Sequence, residues 1–151
     1  MINASILNIG DEILIGQIID TNSSFLCKKL NEINIPVSNI VTIGDDEDTI
    51  IEHVENLMNK SQIIIIGGGL GPTSDDKTKS ALCKFFNKRL ILNDDIVTHI
   101  KNFLIKRGIK NISERNLKQA EVPEGCELIP NPNGTAWGLI FEKNNKICVA
   151  L

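Results

Sequence analysis

The sequence has no excess of positive charge. It carries 16 Lys and Arg residues against 19 Asp and Glu residues, which gives a formal net charge of −3. A nucleic-acid-binding domain usually concentrates its basic residues in a stripe or patch. Here Lys28, Lys77 and Lys84 instead stand among acidic neighbours. We interpret these lysines as solvent-exposed helix faces and predict no nucleic-acid partner.

Long apolar runs are absent as well. None approaches the roughly 20 residues that a bilayer-spanning helix needs. The N-terminus lacks the basic segment, the apolar stretch and the small-residue cleavage site of a signal peptide. We therefore expect a cytoplasmic protein with no membrane partner. The chain has 151 residues, of which 42% are hydrophobic, and this length predicts one domain with a sizeable core.

Closely spaced cysteines are also missing. The four cysteines, Cys27, Cys83, Cys126 and Cys148, are far apart in the sequence, and neither histidine lies near any of them. Zinc sites usually show pairs of such ligands at short spacing. We predict no zinc site and interpret the cysteines as buried free thiols.

Strands and helices alternate over the first two thirds of the chain. Strands are predicted for Ala4–Ile9 and for residues 36–43 and 62–66. Four consecutive isoleucines mark the third of these as a central parallel strand. Helices are predicted for residues 22–34, capped by Thr21 or Asn22, for the segment after Asp48, and for residues 76–86 and 95–107. His53, His99 and Ser24 are interpreted as helix-surface residues.

The last third has a different pattern. Strands are predicted for residues 128–129, 139–142 and 146–151, and Asn144 with Asn145 forms a plausible hairpin turn. The whole order predicts an α/β fold with three α/β/α layers, a mostly parallel sheet and a β-hairpin near the C-terminus.

A glycine-rich loop follows the central strand, at residues 67–76. Glycine lets the backbone come close to a ligand, and a strand, a glycine loop and a helix N-terminus in this order form an anion cradle of free amides. The loop matches neither the P-loop nor the dinucleotide fingerprint. We predict that it binds the phosphate of a small molecule through the amides of residues 68–73.

Acidic residues follow each of the first three strands. Asp11 and Glu12 come after the first, Asp45 and Asp46 after the second, and Asp75 and Asp76 after the glycine loop. The carboxyl ends of parallel strands meet at one edge of a sheet, so these carboxylates are expected to converge. A carboxylate about 4 Å from a phosphate is repelled by roughly 4 kcal/mol at an effective dielectric of 20. The acids are therefore either helix caps, the role we assign to Asp75, or ligands of a divalent cation.

Three segments together resemble a known family. Residues 9–22 read IGDEILIGQIIDTN, residues 68–78 read GGLGPTSDDKT and residues 131–136 read NPNGTA. The chain resembles the N-terminal domain of the competence/damage-inducible CinA family, which is similar to the MoaB/Mog domains of molybdenum-cofactor synthesis. Gly67 and Trp137 depart from that family's pattern, in which Thr and Pro are common at these places.

The resemblance implies a molybdopterin-binding-like fold and a set of site residues. It implies catalytic roles for Asp45 and Asp76, and divalent-cation ligands (Mg²⁺, Mn²⁺ or Co²⁺) in Asp76 and Glu12. It implies ligand or phosphate contacts from Gly10, Glu12, Asn22, Gly68, Gly69, Gly71, Pro72, Thr73, Gly134, Thr135 and Ala136.

The resemblance leaves the activity open between two readings. One is metal-dependent hydrolysis of a nucleotide pyrophosphate such as ADP-ribose; the alternative is a molybdopterin-binding module without turnover. A purely structural domain that provides oligomer contacts is a third possibility. The family continues with a Pro- and Gly-rich loop, a helix and a separate deamidase domain, which this sequence lacks. We therefore expect a single truncated domain that forms a homo-oligomer through the region of Leu151.

Overall fold

The computed structural model describes residues 2–151. Its elements alternate at first and then become a series of short strands. In chain order they are β1 Ala4–Ile9, α1 Asp11–Leu14, α2 Asn22–Glu32, β2 Val37–Ile43, α3 Glu47–Lys60, β3 Ile63–Gly67, α4 Thr78–Phe86, β4 Leu90–Leu92, α5 Asp94–Lys106, α6 Glu114–Lys118, β5 Glu121–Pro123, β6 Glu127–Ile129, β7 Gly138–Lys143 and β8 Lys146–Ala150.

The main sheet has six strands in the order β2-β1-β3-β8-β7-β6. Strands β2, β1, β3 and β8 are parallel, whereas β7 pairs antiparallel with both β8 and β6. The isoleucine run lies in β3, an interior strand, as predicted. β8 lies between β3 and β7, with Ile63 opposite Ile147, so the last strand of the chain completes the middle of the sheet.

The two faces of the sheet are covered unequally. On one face α3, α4 and α5 contribute Ile50, Leu82 and Ile100, all fully buried, to the large core. On the other face a smaller cluster joins Leu30 of α2 to Ile65 of β3. The predicted three-layer α/β/α fold is confirmed, with most of its apolar burial on the α3 side.

Several boundaries follow from local chemistry. Asp46 caps α3 by accepting a bond from the Thr49 amide at 2.9 Å, and Asn93 caps α5 in the same way. The turn between β7 and β8 has Asn144 and Asn145 at φ of 54° and 60°, as a two-residue hairpin turn requires. The predicted hairpin is therefore confirmed.

Two cap predictions are wrong. Helix α2 starts after Thr21, but neither Thr21 nor Asn22 provides the side-chain cap; Asp20 Oδ1 accepts the Ser23 amide at 2.9 Å instead. Helix α4 starts at Thr78 after Lys77, so Asp75 lies too far upstream to cap it. At α2 an aspartate in the preceding turn takes the place of the residue closest to the helix, whereas no side chain caps α4.

Four short elements escaped prediction from sequence: α1, α6 and the antiparallel pair of β4 with β5. None exceeds five residues, which is too short for a hydrophobic period to be read.

The cysteines are free; Cys83 and Cys148 are buried, whereas Cys27 and Cys126 are only partly so. Burial raises the pKa of the Cys148 thiol to about 12. Within residues 2–151, no helix combines the length and apolarity that crossing a membrane requires.

Candidate functional site

The glycine loop after β3 is shaped by two positions that only glycine can occupy. Gly68 and Gly69 have φ of 101° and 72°. A Cβ on Gly68 would lie 2.2 Å from the carbonyl oxygen of Ile9, and one on Gly69 would lie 2.1 Å from Thr78 Oγ1. The loop is therefore pressed against the end of β1 on one side and the start of α4 on the other.

Thr78 fixes this loop to α4. Its hydroxyl donates to the Gly68 carbonyl at 2.7 Å, and its amide donates to the Gly69 carbonyl at 3.2 Å. Thr78 is fully buried. Thr78 is a site residue missing from the sequence prediction, although a threonine at the start of a helix after a glycine loop is a recognisable signal.

The amides of the loop are only partly free. The Gly68 amide donates to the Leu151 carbonyl at 3.2 Å, and the Thr73 amide donates to Asp76 Oδ2 at 2.8 Å. Pro72 has no amide hydrogen. Among residues 2–151 no acceptor is bonded by the amides of Gly69, Leu70 and Gly71. Of the segment predicted to bind an anion, these are the amides that donate to no protein acceptor, and Leu70 among them is a buried residue.

The Asp76 carboxylate bonds within the glycine loop and does not point toward the other acidic residues. Its Oδ2 also accepts from the Thr73 hydroxyl at 2.5 Å, and a Cβ on Gly71 would lie 2.5 Å from the same oxygen. Gly71 is therefore needed to admit the carboxylate, and Asp76 holds the turn 71–76 in place.

The other acidic residues converge as predicted. An open cavity of about 590 Å³, which we call the acidic cavity, is formed by the loops after β1, β2 and β3. Its lining residues are Asp11, Glu12, Gly44, Asp45, Asp46, Asp75 and Lys77. Glu12 and Asp45 thus meet Asp75 here, whereas Asp76 is not in the lining.

Glycines again make this arrangement possible. A Cβ on Gly10 would lie 2.6 Å from a carboxylate oxygen of Glu12, and one on Gly44 would lie 2.5 Å from Asp11 Oδ1. Gly10, predicted as a ligand contact, serves in the structure to let the Glu12 carboxylate fold over the end of β1.

The charges in the acidic cavity act on Asp45. Partial desolvation raises the pKa of its carboxyl, and the negative charges of Asp11, Glu12 and Asp75 add to this, against a long hydrogen bond from the Asp11 amide at 3.4 Å. Asp46 differs, because hydrogen bonds from Thr49 lower the pKa of its carboxyl. The pKa values of these two neighbouring carboxyls are therefore shifted in opposite directions.

The carboxylates of the acidic cavity offer hard oxygen ligands, the type that Mg²⁺ and Mn²⁺ prefer. However, no three His, Cys, Asp or Glu side chains in the described part of the chain stand close enough to hold a metal ion together. A cation in the acidic cavity would therefore need oxygen ligands from a bound phosphate or from water.

A buried polar network joins β1 to the start of α2. Asn8 donates to Asp20 Oδ2 at 2.7 Å and to Ser23 Oγ at 2.8 Å. Partial burial opposes ionisation of Asp20, but the bonds from Ser23 and Asn8 outweigh it and lower the pKa of this carboxyl. Asn22 lies exposed at the start of α2 and lines a smaller cavity of about 290 Å³ with Gly67, Gly68 and Leu151. Asp20 and Asn8 were missed, although an Asp two residues before a helix start is a cap signal.

The third predicted segment lies at the same sheet edge but further along it. The 130–137 loop joins β6 to β7, and its Ala136 carbonyl accepts from Asn131 at 3.0 Å. The Gly134 carbonyl accepts from His99 Nε2 at 2.8 Å. His99 is thus a half-buried tether of this loop, so its interpretation as a helix-surface residue without a partner is wrong. Gly134, Thr135 and Ala136 are not in the lining of the acidic cavity.

Comparisons with known proteins agree with this architecture. The family model described as "Probable molybdopterin binding domain" matches residues 5–151. CinA-like proteins from Flavobacterium psychrophilum and Dictyoglomus thermophilum are 45% and 44% identical over 148 and 146 residues, 98% and 97% of this chain. The chain covers 35% of each of these relatives, so it spans about a third of their length.

Solved structures extend the comparison. The crystal structure of CinA from Thermoplasma acidophilum, a protein described there as of unknown function, has a TM-score of 0.87 and 34% identity, over 99% of this chain and 86% of that one. MoaB from Thermus thermophilus has a TM-score of 0.63 at 15% identity, over 100% of this chain and 80% of that one, which establishes a shared fold. The chain therefore belongs to the molybdopterin-binding domain family, among its CinA-like members.

Proposed function

We propose that this chain binds a phosphorylated pterin of the molybdopterin type, with the phosphate on the amides of Gly69, Leu70 and Gly71. The observation that carries the proposal is that these amides are free of protein acceptors, in a loop whose shape depends on glycine at positions 68 and 69. Family membership supports a pterin-type ligand. The N-terminus of α4 adds a favourable partial charge for an anion.

The acidic cavity sets a condition on this binding. A phosphate that approached Asp45 or Asp75 to about 4 Å would be repelled by roughly 4 kcal/mol at an effective dielectric of 20. A divalent cation removes this repulsion, and its remaining ligands come from phosphate and water. We therefore expect cation and phosphate to bind cooperatively, with no more than two of Glu12, Asp45 and Asp75 as direct ligands of the cation. Lys77, also in the lining, supplies a positive charge of its own.

A second candidate function is metal-dependent hydrolysis of a nucleotide pyrophosphate such as ADP-ribose. The specific observation in its favour is Asp45, whose pKa is raised by desolvation and by neighbouring carboxylates. Such a group is suited to accept a proton from an attacking water. When bound, the cation would polarise the pyrophosphate and lower the pKa of that water. This reaction requires turnover, whereas the pterin-binding module does not.

Calorimetric titration separates the two candidates. Inorganic phosphate, a pterin monophosphate and ADP-ribose are each added with and without Mg²⁺, Mn²⁺ or Co²⁺, and products are analysed by chromatography. The pterin-binding proposal expects the pterin phosphate to bind more tightly than phosphate, without turnover. Release of AMP and ribose 5-phosphate from ADP-ribose would establish the second candidate.

The matched variants are Gly69→Val and Gly16→Val. Both glycines have positive φ, but a Cβ on Gly16 meets nothing within 4 Å. Gly69→Val should abolish phosphate-dependent binding while circular dichroism still reports a folded chain, and Gly16→Val should bind as the parent does. Unchanged affinity in Gly69→Val would refute the phosphate site on this loop.

A further inference from the structure

A third cavity lies on α5, away from the acidic cavity. It is open, has a volume of about 500 Å³, and we call it the α5 groove. Its lining residues are His99, Asn102, Phe103, Lys106, Arg107 and Pro132. The first four recur at the spacing of one helix face, and Pro132 belongs to the loop that His99 tethers.

The groove contains a cation over an aromatic ring, and further rings lie behind it. The Arg107 guanidinium lies over the Phe103 ring, with its Cζ 4.3 Å from the ring centroid. On the helix face behind it, the His99 and Phe103 rings have centroids 6.0 Å apart at 29°. The His99 ring in turn meets Trp137 edge-on, at 5.5 Å between centroids. Phe103 thus supports the Arg107 guanidinium within the lining of the groove.

The charge of the groove contrasts with that of the chain. Lys106 and Arg107 line it and no carboxylate does, in a protein of net charge −3. Among residues 2–151 neither of these cations takes part in an ion pair. Basic residues at the end of a helix offset its dipole, but that role requires neither the aromatic backing nor the cavity.

We propose that the α5 groove binds a small anion that carries a planar ring, of the class of nucleoside monophosphates. The ring stacks on the outer face of the Arg107 guanidinium, as bases do on arginine planes. The phosphate pairs with the Lys106 ammonium, and the amide of Asn102, which also lines the groove, bonds the edge of the ring. This site requires no divalent cation and does not depend on the function proposed above.

Three probes divide the ligand into its parts: AMP, adenosine and ribose 5-phosphate, titrated by calorimetry at up to about 10 mM, since affinities in the millimolar range are expected for a shallow groove. AMP should bind most tightly. Trp137, the single tryptophan of the chain, provides a second readout, because a ligand that shifts His99 should change its fluorescence.

Variants assign each part to a residue. Arg107→Lys keeps the charge but removes the plane, so it should weaken AMP and adenosine about five- to tenfold, the low end of the range for one stacking contact, and spare ribose 5-phosphate. Lys106→Ala should weaken AMP and ribose 5-phosphate by a similar factor and spare adenosine. Lys101→Ala, an exposed lysine of the same helix outside the groove, is the control.

The outcomes that overturn the proposal are distinct from failure of the glycine-loop site. They are absence of saturable AMP binding to the parent chain, an equal loss in Lys101→Ala, or loss of all AMP binding in Gly69→Val. The last result would place the nucleotide in the glycine loop. Retained AMP binding in Gly69→Val, together with the two part-specific losses, would establish the α5 groove as a separate site.

Discussion

The acidic cavity and the α5 groove present opposite surfaces to a ligand. The acidic cavity is lined by Asp11, Glu12, Asp45 and Asp75. The glycine loop beside it packs closely against the backbone of Ile9. The α5 groove offers Lys106 and Arg107 on an aromatic support. The difference teaches that one domain can offer a phosphate two different electrostatic surroundings. On our proposals, a phosphate needs a cation at the acidic cavity and none in the α5 groove.

The most severe way to test this comparison is to disturb the glycine loop alone. Gly68→Ala puts a Cβ 2.2 Å from the Ile9 carbonyl oxygen, a backbone atom that cannot rotate away, at a φ of 101°. Gly16→Ala has positive φ without any contact. We expect Gly68→Ala to cost at least about 2 kcal/mol more unfolding free energy than Gly16→Ala, since it adds steric strain to the same backbone penalty. Urea denaturation measures both.

If the two regions are independent, the folded fraction of Gly68→Ala should keep the Trp137 fluorescence of the parent. Equal stability of the two alanine variants would show that the loop moves freely away from β1, and the strain argument would then fail.

The next effect concerns the paired aspartates. Asp76 holds the loop through Thr73, whereas Asp75 lines the acidic cavity. We expect Asp76→Asn to weaken phosphate binding with or without a divalent cation, about tenfold for a lost charge-assisted bond. Asp75→Asn should change mainly the Mn²⁺ dependence. Titrations at several Mn²⁺ concentrations distinguish them. A loss of metal dependence in Asp76→Asn alone would instead support the ligand role that the family resemblance implies for Asp76.

The surface around Leu151, apart from both regions, extends the comparison to association between molecules. Leu151 is half exposed and lines a cavity with Phe25, which is 60% exposed. Covering about 300 Å² of such surface contributes roughly 7 kcal/mol before association costs. We expect the chain to self-associate, and Leu151→Ser to shift it toward monomer in light scattering. Ile105→Ser, which removes an exposed side chain on α5, is the control; a monomeric parent chain would remove this argument.

The smallest expected effect is the opposite influence of the neighbouring Asp45 and Asp46 on stability as pH changes. The raised pKa of Asp45 means that the unfolded chain ionises first as pH rises, so this group lowers stability above about pH 4. The lowered pKa of Asp46 gives stability that is present above its unfolded value and is lost as pH falls. Asp45→Ala should therefore raise the melting temperature at pH 7, and Asp46→Ala should lower it. Calorimetric scans at pH 7 and pH 3 should show both differences shrinking at the lower pH, and changes of the same sign at pH 7 would contradict this account.

The fold could be predicted from sequence wherever a helix or strand was long enough to show a hydrophobic repeat. The isoleucine run of β3 and the Asn144-Asn145 turn are examples, since each combines a local preference with a burial pattern. The antiparallel pair β4 and β5 could not be predicted, because Leu90 and Leu92 remain exposed and strands of three residues give no alternation to read.

The candidate site was predictable by location but not by orientation. The convergence of Glu12 and Asp45 followed from the carboxyl ends of parallel strands. The inward turn of Asp76 did not, because it depends on the space that Gly71 leaves and on the Thr73 hydroxyl. His99 shows the same limit, because its partner, the Gly134 carbonyl, lies in a distant loop. The sequence around His99 does not predict this hydrogen bond.

The insertion of β8 between β3 and β7 bears on how the chain folds. The pairing of Ile63 with Ile147 is highly non-local, and such contacts form late because the intervening chain must first be ordered. Until β8 arrives, β1, β2 and β3 can associate through their crossover helices while β3 presents an unpaired edge rich in isoleucine. An open edge of that composition favours pairing between molecules. Refolding yield should therefore fall with protein concentration, and a chaperone that shields β3 should restore it.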